Sequence, residues 1–518
     1  MKNLISIVLI IAVFTTNVFA QSVVSFGADK TINLGKVDDY QRILGSDSDA
    51  LYALRLNEKD ELYLDLINAN TLVRESETQL ILPIMNGINA EFVEMFYLDS
   101  KLVLLTQIMN NTTKEKILYI QQIDNRTGQI IGEPKAIGKL TGPNTVVKFG
   151  VKLTPNKQNI FISYNAAFQT YNQEAFFFKV YDPNLKEIFN KSIKLPLVGK
   201  TFVIDQVEMG TNANVFMLAR ISPDARAAQR MKNIEYDFKL LVFEDSKGAV
   251  SSFDIKGKKL LVSDAIFGVD ENNDVDIFGF MIRKGKTNYE AIYHQKLDMK
   301  TGKFKGGDAK KADYVFTKKD LPEFRADRLA KNMDEIYNYK LLGVVHMDNG
   351  GSAVIAEHQN LWKDSIIDPQ TRKIAYSDYY RFNDVIIAYC SPANSMEWMT
   401  RIPKTQYSYN DLGIYSSIAY TVSGEKILLF YNDNSKNIKN LEKQVTDGNS
   451  YKEITLPGRS GEAVVVSVYS DGKFNGRSLL NNNNDFKLIP EFVKEYNYRI
   501  YMLLQSKNKV KFVQYTGR

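Results

Sequence analysis

The sequence predicts an all-β protein, a β-propeller of four-stranded antiparallel blades. Three observations predict it. Apolar runs are short, rich in Val, Ile, Tyr and Phe, and bounded by Asn, Asp, Gly or Lys, with few stretches of helical periodicity. Turns opened by Asp recur at a near-constant interval: Asp124, Asp182, Asp245 and Asp298 are spaced by 58, 63 and 53 residues. Each interval has room for four strands, and a four-stranded unit repeated at that period is the pattern of a propeller.

Residues 147–196 show one unit. Residues 147–153 alternate as a strand, Thr154-Pro155-Asn156-Lys157 turns the chain, 159–164 and 175–181 are the second and third strands, and 188–195 is the fourth. Asp182 opens the hairpin between the last two. Elsewhere that hairpin reads Asp124-Asn125-Arg126-Thr127-Gly128, Asp245-Ser246-Lys247-Gly248, Asp298-Met299-Lys300-Thr301-Gly302 and Asp471-Gly472. Asp accepts its own turn's backbone hydrogen bonds, and Gly takes the positive-φ position. Seven full units begin near residues 37, 92, 147, 203, 262, 339 and 415. After Asp485 only three strands remain, at 486–493, 498–505 and 510–515, while residues 21–34 hold a spare strand that would complete them and remove the open edge. The reading is eight blades, with seven as the alternative and paired β-sandwich domains as the competing architecture. Two interruptions are expected. Asp320-Leu321-Pro322-Glu323 carries an N-cap, an early Pro and a capping-box acid, which predicts a helical insertion at about 317–337. A loop insertion at about 359–381 separates the second and third strands of the sixth unit.

The N-terminus reads as an address. Lys2 precedes an apolar run over 4–14, and Val18-Phe19-Ala20 places small residues at the −3 and −1 positions of a signal-peptidase site. Residues 1–20 are thus expected to be a cleaved signal peptide and 21–518 a single domain, although about 500 residues would by length suggest three. No second long apolar segment predicts a transmembrane anchor. The protein is expected to be exported, to the periplasm, in association with the outer membrane.

Composition narrows the chemistry. The chain of 518 residues has one Cys, two Trp and three His. One cysteine cannot form an internal disulfide, and a Cys/His zinc site is excluded in practice. No nucleophile-elbow Gly-x-Ser-x-Gly, phosphate-binding Gly-rich loop or sialidase-type Ser-x-Asp-x-Gly-x-x-Trp turn is present. His294, His346 and His358 have no nucleophile partner identifiable from sequence. The expectation is a non-enzymatic protein with no cofactor. Asp270, Asn272, Asp274 and Asp276 space oxygen ligands as a calcium loop does, but Val275 stands where an EF-hand type needs Gly, and no bidentate Glu follows; an ordinary interstrand turn is the competing reading.

The formal net charge of +6 is uneven: residues 283–320 hold 11 basic and 5 acidic residues, and 486–518 hold 7 and 2. An anionic surface or glycan could use these regions, and solvated lysines are the plainer account; nucleic acid is not expected for an exported chain with a near-neutral body. The sixth-unit insertion concentrates Trp362, Arg372, Tyr376, Tyr379, Tyr380 and Arg381, with Trp398 in the next strand. Trp, Tyr and Arg dominate protein-interface hot spots, so these seven are the candidate partner-binding residues. Packing against the blade's own edge is the competing reading.

The segments Gly350-Gly351-Ser352-Ala353-Val354-Ile355-Ala356-Glu357, Glu397-Trp398-Met399-Thr400-Arg401-Ile402-Pro403-Lys404-Thr405-Gln406 and Tyr431-Asn432-Asp433-Asn434-Ser435-Lys436-Asn437 carry a resemblance. Asn383-Asp384-Val385-Ile386-Ile387 and Tyr415-Ser416-Ser417 belong to it too. Over about residues 340–440 the chain resembles uncharacterised exported propeller-like proteins of Bacteroidota. The resemblance implies an envelope location and an envelope or outer-membrane protein partner, with a role as an accessory or plug-like subunit of a complex such as the type IX secretion translocon. The rival reading is a glycan-binding or glycan-active propeller with carboxylates at the central channel.

Overall fold

In a computed structural model the chain is built almost wholly of antiparallel sheets. The structure describes strands at 23–26 and 30–31 and residues 40–517, apart from 58, 60, 142–148, 166–172, 199–201, 223–235, 306–313, 316–337, 368–373, 481–484 and 508. The expected signal peptide and the helical insertion at 317–337 lie outside the described residues.

The described strands form eight sheets of four or more strands, each built on an antiparallel meander; the sixth adds Ile454–Thr455 in parallel, and the eighth takes in a strand from the N-terminal segment. Their opening strands are Tyr40–Ser46, Glu91–Leu98, Gly150–Leu153, Phe202–Met209, Leu261–Val269, Tyr339–His346 and Ala419–Ser423, and the eighth opens with Lys487–Leu488 and Lys494–Tyr496. Here the expected strand at 486–493 breaks: Pro490, which has no N–H to give a ladder, starts a 3-10 turn over Pro490–Phe492. Lys509–Thr516 is the eighth sheet's last C-terminal strand, and Val23–Phe26 pairs beside it, Val23 opposite Thr516 and Phe26 opposite Val513. The N-terminal segment therefore supplies the missing strand, as the spare strand in the sequence predicted.

Opening strands touch opening strands, which places them innermost. Tyr496 donates to Ile43 O at 3.1 Å, Arg42 pairs with Glu94, and Lys152 reaches Glu208 at 2.8 Å. Gln206 exchanges two hydrogen bonds with Phe267, Tyr420 donates to Leu342 O, and Thr421 donates to Glu495. The apolar core repeats this order. Sheets one and two share Leu54, Leu64, Met95 and Leu104; sheets seven and eight share Phe430, Val465, Leu488 and Met502. A further cluster joins the eighth sheet back to the first through Tyr501, Leu503 and Phe512 against Tyr40, Leu51 and Ala53. Burial is thus between neighbouring sheet faces, and the succession returns on itself, as a propeller requires.

The turn chemistry is as expected. Asp124 Oδ1 accepts from Arg126 N and Thr127 N, and Gly128 sits at φ +69°. Asp298 repeats this with Lys300, Thr301 and Gly302. Two insertions differ from the expectation. The expected loop insertion at about 359–381 is, among the described residues, strand: Ser352–Ile367 and Ile374–Cys390 continue as one long hairpin, Gln359 to Ile367 pairing with Phe382 to Ile374. The seventh sheet carries an unforeseen insertion between its second and third strands, with short helices at Ile438–Glu442 and Pro457–Ser460.

Candidate functional site

Both insertions follow a second strand and precede a third, so meander geometry puts them on the same face of the molecule in adjacent sheets. On the long hairpin, Trp362 stands opposite Tyr379, and Tyr379 opposite Tyr409 of the short strand Gln406–Tyr409. Strand alternation puts Trp362, Tyr379, Arg381, Tyr407 and Tyr409 on one side. The rings form a row: Trp362 to Tyr379 is 5.2 Å between centroids with planes 11° apart, Tyr379 to Tyr407 is 6.3 Å at 17°, and Tyr407 to Tyr409 is 6.4 Å at 45°. The Arg381 guanidinium lies 5.5 Å above the Tyr407 ring. Trp362 is 38% and Tyr409 43% exposed.

The seven candidates therefore divide. Trp362, Tyr379 and Arg381 belong to this platform. Tyr376 and Tyr380 point to the hairpin's other side, where Tyr376 is 62% exposed with Lys363 Nζ 5.4 Å from its ring centre and Leu361 also exposed. Arg372 lies outside the described residues. Trp398 is elsewhere: it stacks on Tyr389 at 5.2 Å and donates to Ser470 O at 2.8 Å, locking the sixth sheet to the seventh. Tyr389 is ten residues along the strand from Tyr379, roughly 30 Å away. Sequence reading missed Tyr407 and Tyr409. Their alternation in Gln406-Tyr407-Ser408-Tyr409 was a usable signal for a strand with one aromatic face.

A buried polar spine fixes the platform strand. Lys404 Nζ is 2.7 Å from Glu357 Oε1 and donates to Phe382 O and Gln406 Oε1. Gln406 Nε2 donates to Asn432 O at 2.8 Å, and Asn432 exchanges hydrogen bonds with the backbone of Leu488. Sheets six, seven and eight are joined by this chain. Burial pushes the Lys404 ammonium below the usual lysine range, against the opposing pull of Glu357.

The 270–276 segment is an interstrand turn in which the carboxylates of Asp270, Asp274 and Asp276 are all occupied. Asp270 Oδ1 caps the turn, accepting from Asn272 N and Asp274 N, and its Oδ2 takes Lys296 Nζ at 2.8 Å. Asp274 accepts from Met299 N and Lys305 Nζ. Asp276, buried, takes Lys296 Nζ at 3.0 Å and His294 Nε2 at 2.9 Å, and His346 Nε2 approaches to 3.3 Å without the alignment of a hydrogen bond. Burial alone would raise the Asp276 carboxyl; the two histidines and Lys296 outweigh it and hold it well below the carboxylate range. Lysines thus fill the positions that a calcium ion would need, Asn272 stays on the exposed corner, and no described group of three or more His, Cys, Asp or Glu is placed to hold a metal.

His294 does find a partner that the sequence could not reveal. Its Nδ1 is 3.0 Å from Cys390 Sγ, giving the connectivity Cys390–His294–Asp276. All three are buried, and burial pushes the thiol far above its usual range. A protonated, sealed thiol has neither the thiolate nor the access that nucleophilic catalysis needs. His358 sits in the core edge-on to Tyr339, near Asn383.

On the innermost strands, charges pair. Asp205 is held bidentately by Arg220, Nε to Oδ2 at 2.9 Å and Nη2 to Oδ1 at 3.0 Å. Asp264 differs: burial pushes its carboxyl up to about 6, opposed by the Ala265 N–H and reinforced by nearby Asp205. Both lie at the starts of opening strands, hence on the platform's face.

No family model and no curated protein matches the chain. Solved structures match over most of its length at low identity. They include the uncharacterized protein lmo1340 from Listeria monocytogenes EGD-e (10% identity, 93% of this chain, 96% of that one, TM-score 0.36). The WD40 domain of SCAP from fission yeast matches at 9%, over 95% and 98%, with a TM-score of 0.37. The α-L-arabinanase of Penicillium chrysogenum, complexed with arabinobiose, matches at 10%, over 69% and 97%, with a TM-score of 0.31. Binding modules and enzymes both stand among these likenesses, and at such scores they carry no argument about activity.

Proposed function

We propose that the chain is a non-enzymatic propeller of the cell envelope that docks a protein partner, of the kind found in outer-membrane assemblies, through the sixth sheet's long hairpin. The observation that supports this most is the aromatic row Trp362–Tyr379–Tyr407–Tyr409. Exposed Leu361, Ile374 and Tyr376 give the opposite side of the same hairpin an apolar surface as well. Rigid aromatics with an adjacent arginine are what interface hot spots use, and the spine under Gln406 holds them in place before binding. The sealed Cys390–His294–Asp276 connectivity agrees with a structural role for the only cysteine. Photo-crosslinking groups placed at Trp362 and Tyr409 test the reading in intact cells, with Tyr469, at a hairpin turn on the opposite face, as the control position. One discrete protein adduct at the first two positions and none at Tyr469 is expected. Equal labelling at all three, or none, overturns it.

Asp205 and Asp264 favour a second reading, a glycan-active propeller. Arg220 bonds Asp205 bidentately while burial raises the Asp264 carboxyl, and two carboxylates in unlike surroundings are what acid-base chemistry on a glycosidic bond requires. Asp264→Asn that abolishes release of reducing sugar from a glycan panel would establish it. A wild-type protein inert on that panel removes it.

A further inference from the structure

A cavity of about 580 Å³ opens beside the platform, where the loop after Tyr409, the short helix Pro457–Ser460 and the eighth sheet meet. Its walls carry Tyr409, Tyr415, Gln505, Arg459, Lys487 and Lys507. The basic C-terminal region seen in the sequence thus supplies two of its three cations. Lys487 is 3% exposed, Gln505 is also buried, and Tyr415 donates to Gln505 Oε1 at 3.0 Å.

Two acids, Asp411 and Asp485, also line the cavity and offset two of its three cations, Arg459, Lys487 and Lys507. Asp411 Oδ1 is committed to Gly413 N at 2.9 Å, closing its own turn. Asp485 lies close to Lys487, as does Glu462 behind it. Arg459 and Lys507 have no acidic partner among the described residues. The charge left over is positive.

The remaining chemistry selects among anions. Leu456 is the single aliphatic side chain of the lining; the others are phenols, amides, a hydroxyl and charged groups. A peptide anchor would need an apolar pocket. A ring with several hydroxyls and a carboxylate matches amide and phenol hydrogen-bonding groups, an aromatic face for its C–H side, and guanidinium and ammonium for its charge. We infer that this cavity is a binding site for an acidic saccharide, a uronate-bearing oligosaccharide with its carboxylate towards Arg459 and Lys507 and a sugar ring against Tyr409 or Tyr415. The site adjoins the proposed docking surface and shares Tyr409 with it, while Trp362, Tyr379 and Tyr407 lie outside the cavity lining.

Calorimetric titration of the full-length mature chain tests it. The probes are short galacturonate, guluronate, mannuronate and glucuronate-containing oligosaccharides, their neutral counterparts of equal length, and oligo-glutamate. At least one uronate probe is expected to bind saturably, its neutral counterpart at least ~10-fold more weakly, and salt to weaken it. The substitutions Arg459→Ala and Tyr409→Ala, both at exposed residues, should each lower affinity ~10-fold or more with an unchanged melting temperature. Trp362→Ala should leave saccharide affinity unchanged, so failure of this inference is distinguishable from failure of protein docking. No binding across the panel, equal binding of neutral and acidic probes, tighter binding of oligo-glutamate, or affinity indifferent to Arg459→Ala each overturns it.

Discussion

Glu357 and Lys404 form an ion pair of 2.7 Å in which neither side chain has any exposed surface. The contact is Coulombic, since the hydrogen bonds of each go elsewhere: Lys404 to Phe382 O and Gln406, Glu357 Oε2 from Ser417 and Gln359. Removing one partner leaves the other charge buried alone. Lys404→Met is therefore expected to cost about 3–5 kcal/mol in denaturant unfolding, and the double variant Lys404→Met, Glu357→Gln distinctly less than the two single costs together. Additive losses would show that the pair is not coupled.

The aromatic candidates separate by experiment as they do in space. Trp362→Ala should weaken partner binding by about 2 kcal/mol, near 30-fold, with little effect on stability. Trp398→Ala should do the reverse, since it loses the Tyr389 stack and the Ser470 hydrogen bond and opens a gap between sheets six and seven; about 3–5 kcal/mol of stability is expected to go. Binding assays beside thermal melts of both variants check this. A stable Trp398→Ala protein that fails to bind the partner would reverse the assignment.

Asp433 gives a pH signature. It is fully buried opposite Glu462 in the ladder, and burial raises its carboxyl to about 7 despite hydrogen bonds from Asn437 and the Asn434 N–H. The folded state thus holds a proton that the unfolded state releases from about pH 4 upward. That lowers stability as pH rises from about 4 to 7, with the full penalty above 7. Asp433→Asn keeps the accepting oxygen and removes the titration. Its stability relative to wild type should increase across that window and level off above it, in urea titrations at each pH. A difference that does not change with pH overturns the claim.

Cys390 should be inert to iodoacetamide at pH 8 in the native protein and react fully in denaturant, read by intact mass. Burial keeps it a thiol and out of reach. Rapid native alkylation would reopen the question of a working Cys390–His294 pair.

The repeated alternation of apolar residues, the Asp and Gly hairpins and the spare N-terminal strand determined the sheets, their order and the pairing of Val23–Phe26 with the C-terminal strand, because strand patterning and turn chemistry are local and read residue by residue. The hairpin's aromatics were also legible, as a concentration of Trp, Tyr and Arg. Only the tertiary structure decided which of them act together. Strand register put Trp362 beside Tyr379 and Tyr409, carried Tyr376 to the opposite side, and sent Trp398 to the far end of the sheet. It brought Cys390 to His294 across 96 positions, Lys404 to Glu357, and lysines onto the carboxylates of 270–276. Such pairings depend on which sheet lies beside which, and the charge of a buried group on what surrounds it; spacing along the chain encodes neither, because contacts between sheets join residues whose separation in sequence is set by whole blades.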